Sequence, residues 1–214
     1  MPAGVSWSNR VVLVCVALAS FTSCAFDRPE SATATIYDLG PQPQYAKGNP
    51  AIPGSLLIPS VRAPEWLDGT AIVYRLLYED SARPRAYSMS RWAAEPASLV
   101  TDRVRSRFAT VSRAVVAPGY GVRSDYTLRV ELEDFVQSFD APAASRAAMR
   151  ARATLSDTAG RKLLGQRVFM IDQPAAPNAA GGVKALTEAT DRFVEELVAW
   201  TMQAVQTSSD RRTP

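Results

Sequence analysis

The stretch DYTLRVELEDFV at residues 125–136 alternates apolar and polar side chains, which is the pattern of a β-strand buried on one face. Its predicted apolar face carries Tyr126, Leu128, Val130, Leu132 and Val136. Its predicted polar face carries Thr127, Arg129, Glu131 and Glu133, and Asp134 interrupts the apolar face near its end. Residues 147–155 alternate in the same way, so we predict an antiparallel partner strand after a loop at 139–145. That pairing would place Glu131 or Glu133 beside Arg150 or Arg152, as on a solvated sheet face.

Other segments of the chain have the composition of further strands. They are residues 35–39, 55–58, 70–78, 85–90 and 162–171. Residues 70–78 (TAIVYRLLY) are apolar at both alternating positions except at Arg75, which is typical of a central strand covered on both faces. The sequence therefore predicts one sheet that contains strands from both halves of the chain.

Two segments have the apolar periodicity of amphipathic helices. The first begins near Glu95-Pro96, because proline suits an early helical position. Its apolar stripe is Val100, Val104, Phe108 and Val111, and Arg103 and Arg107 fall on another face. The second helix is predicted over 183–205, after a loose segment at 172–182, with a stripe formed by Leu186, Thr190, Phe193, Leu197, Trp200 and Ala204. We expect both helices to pack on the sheet.

The N-terminus has the features of a bacterial lipoprotein signal. Arg10 precedes a short apolar run, and Phe21-Thr22-Ser23-Cys24 offers two small residues directly before a cysteine. The apolar run is far below the roughly 18 residues of a membrane-spanning helix. We predict a signal peptide at 1–23 and a lipid on Cys24. The residue after this cysteine is Ala25 rather than Asp, which favours the periplasmic face of the outer membrane.

The rest of the chain divides simply. Residues 24–33 are predicted to be a lipidated tether, whose nine residues after the cysteine reach roughly 30 Å when extended. One domain is expected over 34–206, and residues 207–214 are expected to be a disordered tail.

Composition narrows the function more than any motif does. The 214 residues contain no histidine, which excludes Ser-His-Asp and Cys-His nucleophilic sites and histidine-bearing zinc sites. The formal net charge of +3 is too close to balance to indicate nucleic-acid binding. Gly119-Tyr120-Gly121 lacks the third glycine of a dinucleotide loop and is interpreted as a turn. We expect no enzyme activity, no metal and no cofactor other than the lipid on Cys24.

Loop aromatics are the remaining candidates for a functional surface. Tyr45 falls in a long predicted loop, Trp66 falls in a turn, and Tyr87 and Trp92 come just before the first helix. Aromatic side chains in loops can anchor a partner protein. They can equally fold back as hydrophobic plugs. We predict partner contacts at these four residues, with Trp66 and Trp92 as the leading pair.

Several blocks of the sequence resemble the ABC-type transport auxiliary lipoprotein family. They are the cysteine at 24, YDLGP at 37–41, LLIP at 56–59, WLDGTAIVYR at 66–75 and YSMSRWAAEP at 87–96 before an amphipathic helix. The resemblance covers about residues 35–205, and the imperfect residues before Cys24 and the Ala-rich segments 139–145 and 172–182 depart from it. It implies a three-layer α/β domain with a mixed sheet, similar to anticodon-binding-like folds. It also implies a non-catalytic lipoprotein whose partners are an MCE-domain protein and an ABC permease and ATPase that move lipids or hydrophobic solutes.

Two other classes of protein fit the residues. One is an envelope-assembly lipoprotein that docks a partner outside ABC transport, and the other is a lipid-binding carrier with its own cavity. Neighbouring permease, ATPase and MCE genes would favour the transport assignment, whereas co-purified lipid would favour the carrier. The sequence leaves open the transported substrate and whether the domain forms a homo-oligomer.

Overall fold

The computed structural model describes residues 33–44, 51–119, 121–157 and 162–210. Its strands are β1 Thr35–Tyr37, β2 Ile52–Leu57, β3 Ala71–Leu76, β4 Asp80–Trp92, β5 Ser112–Val116, β6 Tyr126–Ala141, β7 Ala144–Asp157 and β8 Leu163–Ala175. Its α-helices are α1 Pro96–Val111 and α2 Ala179–Asp210, and a 3-10 turn at Glu65–Leu67 precedes β3. The predicted signal peptide and the predicted tether as far as residue 32 lie outside the described residues.

All eight strands belong to one mixed sheet built around β6. On one edge β6 pairs antiparallel with β7 along its length, and β7 pairs antiparallel with β8. On its other edge β6 pairs in parallel with β2 near its start and with β3 near its end. Beyond β3 come β4 and then β1, and beyond β2 comes β5. The predicted mixed sheet and the predicted pairing of 125–136 with 147–155 are therefore confirmed, whereas β5 was not predicted.

A β-bulge at Glu133 changes which face the end of β6 presents. Leu132 lies opposite Ala151 and Asp134 lies opposite Arg150, so Glu133 has no partner residue between them. Such an extra residue reverses the alternation of every side chain after it. The prediction that Asp134 and Val136 continue the face of Leu132 is therefore wrong.

After the bulge, Phe135 and Gln137 take over the face that packs against the helices. Both side chains are buried, at 1% and 0% exposure. Val136 turns to the opposite face and is buried there as well. The second half of β6 is thus covered on both sides, which the alternation pattern alone did not predict.

The two helices lie side by side on the sheet with the stripes that the sequence predicted. In α1, Val100, Val104 and Phe108 are fully buried, and Arg107 forms a bidentate ion pair with Glu195 of α2. The buried part of the α2 stripe comprises Leu186, Thr190, Phe193 and Leu197. Within the described residues the sheet and this helix pair make two layers, so the third layer implied by the resemblance is not among them. The mixed α/β class is confirmed, but the anticodon-binding-like description is not.

Two segments predicted as loops are regular structure instead. Strands β6 and β7 meet at a tight turn, with Ala141 paired to Ala144, so most of 139–145 is strand. Residues 172–175 end β8 and residues 179–182 begin α2, so the connection is the three residues 176–178. The Cβ of any larger residue at Gly182 would lie well inside the contact distance of Gln137 Oε1, so this glycine permits a close approach rather than marking a loop.

Helix α2 also extends beyond its predicted C-terminal end. It continues to Asp210, so residues 207–210 of the predicted tail are helical and Ser208 is buried. Neither helix within the described ranges combines the length and the apolar character needed to span a membrane.

Candidate functional site

The four predicted contact aromatics have different environments in the structure. Tyr45 lies outside the described residues. Trp92 is 2% exposed and belongs to the core, where its ring centroid lies 5.7 Å from that of Phe135. It is buried because it ends β4 between two other strands, pairing with Tyr37 of β1 while its backbone N–H donates to Thr70 O at 2.8 Å. The expectation that Trp92 offers its ring to a partner is therefore wrong.

Tyr87 is half-buried and contacts other side chains of the sheet. Its hydroxyl donates to Gln137 Oε1 at 2.9 Å, and its ring centroid lies 4.7 Å from that of Tyr74. Burial, together with the nearby Tyr74, raises the pKa of Tyr87 to about 12. Gln137 Nε2 in turn donates to Ser145 Oγ and Ala176 O. Tyr87 is thus part of a structural hydrogen-bond network.

Trp66 is the predicted residue that lines an open cleft. This surface, here called the Trp66 cleft, has a volume of about 480 Å³. Its lining residues are Arg62, Ala63, Pro64, Trp66, Glu131, Leu132 and Glu133. The cleft brings the Trp66 turn next to the bulge of β6, two features that are far apart in the sequence.

The backbone fixes the Trp66 turn firmly against β6. Arg62 N donates to Val130 O at 3.2 Å, and Leu132 N donates to Arg62 O at 2.7 Å. The 3-10 turn then closes through Leu67 N and Pro64 O at 2.8 Å. Because both walls are held by backbone hydrogen bonds, the cleft is largely preformed.

Charged side chains surround the aromatic wall of the cleft. Arg62 forms an ion pair with Glu131 at the rim, with side-chain exposures of 74% and 42%. Glu133 accepts hydrogen bonds from Arg152 and from Arg150, each with a contact of 2.6 Å. These hydrogen bonds, above all the one from Arg152, lower the pKa of Glu133. The predicted pairing of these glutamates with the arginines of β7 is confirmed.

An arginine also supports the Trp66 ring itself. The guanidinium of Arg75 lies 4.9 Å from the ring centroid, and Trp66 remains only partly buried. Arg75 pairs with Ser138 of β6, on the sheet face opposite the helices. An aromatic side chain that is held in place yet accessible, with a polar rim, has the composition of a protein-binding anchor site.

The charged groups of the cleft form ion pairs. The groups in these pairs are arginines and glutamates. No group of three or more His, Cys, Asp or Glu side chains within the described residues is placed to hold a metal ion.

Sequence reasoning missed the most buried charged side chain of the described residues. Arg103 is 3% exposed and reaches across to the loop that follows β1. Arg103 lies three residues after Val100, at the border of the apolar stripe of α1. This position is the one feature of the sequence that indicates its burial. The stripe identified the helix face but not the loop that comes to lie over its border.

Comparison with known proteins assigns the chain to a family. The model of the ABC-type transport auxiliary lipoprotein component family matches residues 37–198. The crystal structure of protein XCC0632 from Xanthomonas campestris, of family DUF330, superposes with a TM-score of 0.72 at 22% identity, covering 82% of this chain and 99% of that one. A second structure, of an uncharacterised protein, has a TM-score of 0.58 at 16% identity and covers 79% and 99%. At these identities the two structures show a shared fold only. No curated protein gives a significant match to the sequence.

Proposed function

Since the chain belongs to the ABC-type transport auxiliary lipoprotein component family, we propose that it is a non-catalytic docking protein of an ABC transport system. Its partner in this proposal is an MCE-domain protein, which works with an ABC permease and ATPase on lipids or hydrophobic solutes. A lipid on Cys24 attaches the domain to the periplasmic face of the outer membrane. In this proposal the protein binds and positions the MCE-domain protein, and the ATPase supplies the energy for transport.

The Trp66 cleft is the observation that supports docking. It combines a partly accessible indole, the apolar neighbours Ala63 and Pro64, and a rim of charged pairs. Aromatic side chains in such settings bury a large area at a low cost in conformational entropy. The rim pair of Arg62 and Glu131 is exposed, so its opening for a partner would cost little.

A binding assay with Trp66→Ala tests the docking surface. The partner is the MCE-domain protein encoded nearest to this one, and binding is measured with the purified proteins. If Trp66 is a hot spot, its removal costs about 2 kcal/mol or more, which is roughly a 30-fold increase in Kd. Tyr78→Ala is the matched control, because Tyr78 is an aromatic residue with 48% exposure outside the cleft.

The possible outcomes distinguish an error in the proposed partner from an error in the proposed binding surface. If the folded wild-type protein does not bind the MCE-domain protein at micromolar concentration, the proposed partner is wrong. If wild type binds and Trp66→Ala binds equally well, docking stands but the Trp66 cleft is not its site. The same loss in Tyr78→Ala as in Trp66→Ala would also argue against the cleft.

The anchor has its own test. Cys24→Ser removes the acceptor of the lipid, so we expect the protein to leave the outer-membrane fraction. Fractionation of this variant together with the outer membrane, at the wild-type level, would contradict lipidation at Cys24.

A further inference from the structure

A single buried arginine joins the first strand to the helix layer. Arg103 of α1 donates from Nη1 to Pro41 O at 3.0 Å, and from Nη2 to Gly40 O at 3.2 Å and to Leu39 O. Its Nε lies 3.4 Å from Asp191 Oδ1 of α2. We call this arrangement the Arg103 clasp: Arg103, Asp191 and the carbonyls of residues 39–41.

The loop after β1 is shaped to meet this guanidinium. Gly40 adopts φ +66°, a left-handed conformation that suits glycine, and its N–H donates to Asp38 Oδ1 at 2.7 Å. Burying a guanidinium is costly unless its donors find acceptors. Here consecutive carbonyls supply them, so the clasp and the loop conformation depend on each other.

Besides the clasp, strand β1 is held by the buried side chain of Leu39, which is 4% exposed, by Tyr37, which packs against the core, and by few backbone contacts. It is three residues long, and its only strand partner in the described residues is β4, to which it is parallel. Ala93 N adds one hydrogen bond to Tyr37 O at 2.6 Å. Short edge segments of this kind open at low free energy unless other contacts hold them. The clasp lies immediately C-terminal to β1 and adds contacts at the end of this short strand.

We infer that Arg103 sets the length of the tether by keeping β1 attached to the domain. This inference rests on the proposed lipid at Cys24. With β1 in place, the nine residues after Cys24, at 25–33, reach roughly 30 Å when extended. If β1 and its loop detached, the chain as far as Ala51 would join the tether and add roughly 60 Å. Arg103 is therefore a positioning residue, because it limits how far the docking domain stands from the membrane.

A cleavage experiment on the full lipidated chain tests the clasp. A recognition sequence for a site-specific protease is inserted within residues 45–50, and the protein is cut after it has been incorporated into membranes. After the cut, only the non-covalent contacts of β1 and the clasp hold the domain on the membrane. We expect the wild-type domain to stay bound, and Arg103→Met to release it at least ten times faster.

Arg107→Met is the matched control. Arg107 lies one turn further along α1 and pairs with Glu195, so its removal also breaks an arginine–carboxylate contact between the helices. Its guanidinium donates to Glu195 and to Thr110. We expect this variant to retain the domain as wild type does. Arg103→Lys keeps the charge but lacks the fork of donors, so release should fall between those of Arg103→Met and wild type.

Each possible outcome of the cleavage experiment either supports or overturns the inference. Immediate release of the cut wild-type domain, or equal retention of Arg103→Met and wild type, would overturn it. If Arg103→Met fails to fold, Arg103→Lys provides the comparison, and release at the wild-type rate would again refute the clasp. The uncut proteins test the anchor separately, because a wild type that is already soluble before cleavage contradicts lipidation rather than the clasp. In that case, co-purification of the cut N-terminal fragment with the domain measures the clasp directly.

Discussion

Removing the Phe193 ring should destabilise the domain strongly, because this side chain joins α2 to the sheet. Phe193 is fully buried, and its ring meets Phe169 of β8 edge-to-face with 5.3 Å between centroids. Replacing a fully buried phenylalanine with alanine costs about 3–5 kcal/mol, as lost transfer free energy plus a cavity. The cavity cannot easily collapse, since the 32-residue helix packs on both β7 and β8. We therefore expect Phe193→Ala to fall within this range.

Urea unfolding of the domain measures the loss of unfolding free energy. A double-mutant cycle then shows how much of this loss comes from the contact between Phe193 and Phe169. Phe193→Ala, Phe169→Ala and the double variant together give the coupling between the two rings, expected at about 0.5–1.5 kcal/mol beyond area burial. For a chain of this size each kcal/mol corresponds to roughly 2–4 °C in Tm. Gln203→Ala, on the exposed side of the same helix, is the control and should change stability by less than about 0.5 kcal/mol.

A loss of less than about 1 kcal/mol in Phe193→Ala would refute the reasoning. It would mean that α2 does not cover the sheet in solution and that its apolar stripe faces something else. Coupling near zero with two large single effects would show instead that the rings are buried separately.

Two further predictions concern the interior beside Gln137. The pKa of Tyr87 is raised to about 12, so the folded state keeps its proton where the unfolded state has lost it, and stability should fall as pH rises from about 10 to about 12. Tyr87→Phe loses the hydrogen bond to Gln137, so it should be less stable than wild type at neutral pH. Denaturant melts should show the difference in unfolding free energy between the two proteins shrinking from about pH 10 to about pH 12, because only wild type carries the titrating hydroxyl. A difference that stays constant over this range would contradict the raised pKa of Tyr87. Gly182→Ala would force a methyl group into Gln137 and should cost about 1–3 kcal/mol of stability. The helix propensity of alanine alone would instead make this substitution stabilising. Thermal unfolding decides between the two effects, because they change Tm in opposite directions.

The Trp66 cleft illustrates how far sequence could go towards a site. Trp66 was named because it stands in a turn, and it does line an open surface. Trp92 is a sequence candidate because it stands just before α1, but it belongs to the core, because β1 and β3 flank it on either side. The elements that arrive from elsewhere in the chain decide that one tryptophan lines a cleft and the other is buried. The opposite wall of the cleft depends on the bulge at Glu133, which the alternation in 125–136 gave no means to place.

The sequence by itself determined the elements whose periodicity is local. Alternation predicted the β6–β7 pair, and the apolar stripes predicted both helices, because each pattern reports which face of an element must be buried. Only the tertiary structure decided what covers each face. It placed Arg103 under the loop of residues 39–41, closed the 139–145 segment into a tight turn, and made Gly182 a contact point instead of a loop. These outcomes depend on contacts between residues far apart in the chain, and a periodic pattern carries no information about which distant segment supplies them.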